Sequence, residues 1–170
     1  MSFLSMPATT TSLGLVQVGA NISVDSNGVI STSSGGGDGT IGTWIPTITG
    51  SGGTVALTIS QSHYSKNGQM VLCTFDFLVS AINTSSNLTL SGLPFTSISG
   101  SGYVGSVLFS AYFNLKTPLN FIGGSVLSSS TSALLWQDTG SSSTTVDNMS
   151  GGALQSNSRL IGTVQYISAT

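Results

Sequence analysis

The chain has 170 residues, of which 5% are charged, and a formal net charge of −2, whereas an average soluble protein is about one-quarter charged. Its three cations, Lys66, Lys116 and Arg159, lie far apart in sequence, so no basic patch can hold a phosphate backbone and nucleic acid is excluded as a partner. Glu is absent while Ser and Thr together number 54; the good helix formers are missing and Thr, Val, Ile and aromatics remain, which predicts an all-β chain.

A mean hydropathy of +0.35 suggests a membrane protein at first sight. The longest apolar run is interrupted by Asp76 and falls short of the ~18 to 20 residues of a spanning helix, so no membrane insertion is expected. The opening MSFLSMPATTTS lacks a basic segment followed by an apolar core, so no secretory signal is read there. A chain of this length can bury roughly two-thirds of its unfolded surface without staples.

In chain order, residues 1–12 are small and aperiodic and predict an arm that orders against a partner. Residues 13–34 read as a short β-meander, with strands at Leu13–Val18, Ile22–Val24 and Val29–Thr32 and a turn at Asp25–Gly28. So few strands cannot make a core alone, so this module must bury its Val and Ile on something else, and copies of itself in an oligomer are the obvious candidate. Residues 35–40 complete a Gly-rich linker, and a head domain spans 41–170.

The head begins with Trp44-Ile45-Pro46, where Pro46 confines a strand to an edge or an end. In TVALTIS, residues 54–60, Val55, Leu57 and Ile59 share a face. The most regular stretch follows: from Val71 the odd positions are Val71, Cys73, Phe75, Phe77, Val79 and Ala81, while the even ones include Thr74, Asp76 and Ser80. That period of two predicts a long strand with one buried side, preceded by a reversal at Asn67-Gly68 that makes it half of a hairpin. Cys73 on that face reads as a plain core cysteine. Further strands are expected at 87–95, at Tyr103–Phe113 with Val107, Phe109, Ala111 and Phe113 aligned, and at 119–127, 133–137 and 159–167. Eight short strands between Gly, Ser, Asn and Pro turns fit a two-sheet sandwich of jelly-roll type.

The segments GLVQVGANISVDSNGVISTSS, GTWIPTITG, YSKNGQMVLCTFDF, LTLSGLPF and GTVQYISAT, in that order, resemble phage tail-fibre and virion appendage proteins, whose end domain is often a trimeric jelly roll similar to the tumour necrosis factor fold. The resemblance implies a homotrimer located in the virion, attached to other virion proteins through the N-terminal arm, with a head that recognises a host surface glycan or protein. The alternative it leaves open is a capsid decoration or tail structural protein that binds no receptor.

No catalytic signature accompanies these motifs, and the chain reads as a non-enzyme. Glycoside cleavage normally needs two carboxyl groups flanking the bond, but Asp25 and Asp38 fall in a turn and a linker, Asp76 lies mid-strand, and only Asp138 and Asp147 share a loop region. His63 is the sole histidine; Ser is everywhere, but no GxSxG elbow is present, so a triad has no support. No zinc or calcium spacing appears, and no cofactor or metal is expected. Four N-x-S/T sequons, at Asn21, Asn83, Asn87 and Asn148, are about the number chance produces in so Ser/Thr-rich a chain.

Of the aromatics, Trp44 reads as core or interface, and Tyr103, Tyr112 and Tyr166 read as packed within strands, their hydroxyls partnered at the rim. Trp136 stands where a strand enters the long polar stretch 138–152, an unusually long connection without apolar periodicity. Trp136, Asp138, Ser141 and Asp147 are therefore the candidate receptor-binding residues, a ring face beside hydrogen-bonding groups on a loop.

Overall fold

The structure, a computed structural model, describes residues 22–24, 30–32, 39–140 and 146–169, which fall into two units divided between Asp38 and Gly39. In the first unit, β1 (Ile22–Val24) and β2 (Ile30–Thr32) pair antiparallel, with Ile22 opposite Thr32 and Val24 opposite Ile30. The arm at 1–12, the strand expected at Leu13–Val18, the turn at Asp25–Gly28 and linker residues 35–38 lie outside the described residues.

Among the described residues of the second unit, the regular elements are β-strands and one 3-10 turn. Its strands are β3 (Thr40–Thr43), β4 (Thr47–Gly50), β5 (Gly53–Asn67), β6 (Met70–Ile82), β7 (Leu88–Ser91), β8 (Tyr103–Phe113), β9 (Phe121–Leu127), β10 (Ser132–Asp138), β11 (Asp147–Asn148) and β12 (Arg159–Ile167). β6 is the strand its alternation predicts: Val71, Cys73, Phe75, Phe77 and Val79 are buried, while Met70, Leu72, Thr74 and Asp76 face outward. The phase holds as far as Val79, and Ala81 is exposed. The hairpin from β5 closes through Gly68-Gln69 with Asn67 opposite Met70, and Gly68 takes the positive φ of 58° that such a tight reversal requires.

Long-range pairing arranges the strands in two successive Greek keys. Three consecutive strands, β4, β5 and β6, form a meander, and β7 returns beside β4; β8, β9 and β10 repeat the pattern, and β12 returns beside β8. β12 also pairs with β6 over the whole of its length, and β10 pairs with both β9 and β7. The ladder therefore runs all the way round, and eight strands close into an antiparallel barrel where two separate sheets were expected. Closure leaves no long open edge for the core to guard. β3 is an appendage to it: Pro46 breaks the first strand, so β3 and β4 pair with opposite ends of β5. The intervening Trp44 is 4% exposed, its Nε1 donating to the Thr74 carbonyl at 3.0 Å.

Two strands, β5 and β8, carry bulges, and in β8 the bulge overturns the alternation read in sequence. In β5 the register shifts between Ala56 and Leu57 and again between Ile59 and Gln61; Val55 is buried, but Ile59 is partly exposed. In β8 the pairing with β12 skips Ser110, opposite the step from Ile161 to Gly162. The extra residue exchanges the faces: Tyr112, opposite the buried Leu160, turns inward with its hydroxyl donating to the Leu119 carbonyl at 3.3 Å, and Phe113 turns out. Tyr166 is buried and packed as expected, its hydroxyl donating to the Phe95 carbonyl at 2.9 Å and accepting from the Phe95 N–H at 3.1 Å. Desolvation in that position pushes its phenol well above the usual tyrosine range.

The stretch from Asp138 to Gly152 is not one free loop. Ser141 to Thr145 lie outside the described residues, but Met149 is fully buried and bonds through its backbone to Leu135 on one side and Leu88 on the other. A 3-10 turn at Gly151–Ala153, capped by the Ser150 hydroxyl, leads into Ala153 and Leu154, both buried.

Cys73 lies in the core, and burial pushes its thiol up to about 12. Because only the thiolate reacts, native protein at pH 8 should not react with an aromatic disulfide reagent, while protein unfolded in guanidinium should release one equivalent. Rapid labelling of the native state would show that β6 opens.

Candidate functional site

The inside of the barrel is filled by its own side chains, so any site for a ligand among the described residues is on the outside. On β8, β9 and β10 the inward residues Val107, Gly124 and Leu135 form one row across the sheet, and the outward residues Leu108, Gly123 and Trp136 form the next. Gly123 has no side chain to fill its place in the outward row. The Phe121 ring folds over it instead, so near that a Cβ on Gly123 would lie 2.5 Å from the ring. The Tyr103 ring meets Trp136 edge-on, with centroids 5.8 Å apart and planes at 88°. Beside Phe121 and Trp136 is a shallow depression of about 360 Å³, lined by Ser106, Leu108, Phe121, Ser125, Trp136 and Val146, together with Val107 and Gly124.

Its floor is held in place: a Cβ on Gly124 would stand 2.5 Å from the Leu134 carbonyl and 3.0 Å from Val107. Leu108 and Tyr103 are 60% and 51% exposed, values that the packing of a barrel does not require. The Trp136 indole nitrogen is buried and has no hydrogen-bond partner among the described residues.

Of the candidate receptor-binding residues, Trp136 thus stands at the centre of an aromatic cluster. Asp138 is opposite Phe121 across the β9–β10 ladder, but its Oδ1 accepts from the Gly140 N–H at 2.8 Å, which makes it a turn-forming carboxylate. Asp147 is exposed on β11, opposite Gln137, and does not line the depression. Ser141 lies outside the described residues.

Tyr103 corrects the expectation that it packs within its strand; it stands at the strand's exposed start, outside the barrel. Leu108 and Phe121 escaped the sequence reading because their facing depends on the partner strand. The one legible signal was Gly123-Gly124, two residues after Phe121, since paired glycines inside a strand mark a place where something approaches the backbone closely.

A second depression, of about 510 Å³, lies on the outer face of β3, β5 and β6, among Ile41, Thr43, His63, Leu72 and Thr74. Ile41 is 80% exposed there. His63 thus stands beside aliphatic and hydroxyl groups, and no carboxylate lines this depression. On the same outward side of β6, Arg159 holds Asp76 in a two-pronged bond at 2.9 and 2.6 Å, which keeps the Asp76 carboxyl below its usual range. Among the described residues no group of three or more His, Cys, Asp or Glu side chains is placed to hold a metal ion.

Compared with known proteins, the chain matches no family model, no curated protein and no solved structure.

Proposed function

We propose that the chain is a virion appendage protein, a homotrimer whose barrel is the head that meets the host surface and whose N-terminal arm, residues 1–12, attaches it to other virion proteins, with residues 13–34 as an attachment and trimerisation module. The observation that supports this reading is the aromatic cluster of Tyr103, Phe121 and Trp136 on the outside of a barrel whose core is complete without it. The near-absence of charge supports assembly, because copies carrying so few charges repel one another little and outward apolar residues such as Ile41, Leu72 and Phe113 gain from burial between subunits. The jelly-roll comparison belongs to this proposal: eight strands in two Greek keys are common to the closed barrel and to the jelly-roll heads that the sequence resembles.

The test uses the full chain. Native mass measurement at micromolar concentration should give three times the 17.2 kDa of one chain, and a monomer would remove the trimer. Fluorescently labelled protein should bind intact cells of at least one strain in a panel of bacteria, saturably and in competition with unlabelled protein. A trimer that binds none of them would favour the alternative, a capsid decoration or tail component without a receptor.

A further inference from the structure

We propose that the depression on the outer face of β8, β9 and β10 binds a neutral saccharide, one or two sugar rings stacked against Trp136, whose ring Tyr103 braces from the side. This rests on the host-recognition reading and names the ligand class of its site. A pyranose presents an apolar C–H face and a rim of hydroxyls, so its complement is an aromatic wall with a few hydrogen-bonding groups beside it. The depression has that composition. Trp136 is braced edge-on by Tyr103, Phe121 and Leu108 supply further apolar wall, and Ser106 and Ser125, both lining the depression, stand opposite each other across the β8–β9 ladder. Its volume of about 360 Å³ is at the small end of the range of ligand pockets.

Charge decides between neutral and acidic sugars. A sialic or uronic acid needs a cation, and all three of the chain's cations are elsewhere. Arg159 is bonded to Asp76, the Lys66 ammonium sits 5.3 Å above the Phe95 ring, and Lys116 lines a separate depression with Gln155. No carboxylate lines the site either, which leaves nothing to select an amino sugar. The Trp136 N–H adds an independent indication. A buried donor without an acceptor is costly, and a ligand hydroxyl displacing whatever covers it would complete a hydrogen bond that the described residues leave unmade.

The protein carries its own reporter. Of its two tryptophans, Trp44 is buried and bonded to Thr74, so a change in emission on binding reports Trp136. Titration of the full chain with maltotriose, cellotriose, galactobiose, mannobiose and chitotriose should give a saturable change with at least one of them. Sialyllactose and oligogalacturonate should bind at least about tenfold more weakly. Tyr103→Ala, an exposed residue whose loss should leave the far-ultraviolet dichroism unchanged, should weaken the sugar about tenfold. No response to any neutral sugar, or unchanged affinity in Tyr103→Ala, would overturn the site.

Two treatments of the cells separate this idea from the reading beneath it. Loss of cell binding after periodate oxidation supports a saccharide. Binding that survives periodate but is lost after protease treatment overturns it in favour of a protein receptor, with host recognition intact. Sugar binding by a protein that attaches to no cell would keep the site and remove the host.

Discussion

Phe75→Ala should destabilise the barrel by about 3 to 5 kcal/mol, through lost burial and a cavity that the neighbours cannot fill. Phe75 is the side chain on which the core aromatics converge. Phe77 stacks on it at 5.2 Å, Phe109 meets it edge-on at 5.5 Å, and Trp44 approaches in the same manner at 6.5 Å. These rings come from β6, from β8 and from the segment between β3 and β4, so one truncation loosens three parts of the ring of strands at once. Urea unfolding should show a lower midpoint, and Phe75→Leu should recover most of the loss because it keeps much of the volume. An unchanged midpoint in Phe75→Ala would mean that the ring is not at the centre of the core.

Gly162→Ala should be a second large effect, and its sign is opposite to the usual one. In an ordinary strand Ala is better than Gly by roughly 0.5 to 1 kcal/mol, because Gly loses more conformational freedom on folding. Here Gly162 pairs with Phe75 on one side and Phe109 on the other, at the bulge of β8. A Cβ at this position would lie well inside contact distance of the Leu108 carbonyl oxygen and 2.7 Å from the Phe75 ring. The ring can tilt, but the carbonyl belongs to the ladder and cannot move without breaking it. Overpacking of this kind costs typically about 1 to 3 kcal/mol, and Gly162→Val should cost more still.

A cycle with Phe75→Leu distinguishes the two contacts. Relief of the ring contact should make the double variant less unstable than the sum of the two singles, while the part due to the Leu108 carbonyl remains. A Gly162→Ala protein as stable as the parent would show that the bulge on β8 is placed wrongly, and with it the inward position of Tyr112.

Residue order alone was enough to read the chain as all-β, to locate most of the strands and to assign the inward side of β6. Alternation is a local property, and β6 runs from Val71 to Val79 without a bulge to change its phase. The same reading placed Phe113 on the core side, and the structure turns it outward because β8 accommodates an extra residue against β12. Nothing within either strand announces that, since a bulge arises from the match between two strands far apart in sequence. Met149 is another instance: a lone apolar residue in a polar stretch has no periodicity, and it becomes core because Leu135 and Leu88 bond to its backbone from both sides.

The candidate site divides along the same line. Trp136 could be singled out from its position at the end of a strand, but its partners come from residues 103, 108 and 121, which no spacing connects. They meet because β8, β9 and β10 form a meander whose register places Leu108, Gly123 and Trp136 in one outward row. Which strands are neighbours, where the ring closes and which aromatics stay outside were decided by that long-range pairing, because a strand's hydrogen bonds and one of its faces are completed only by another strand.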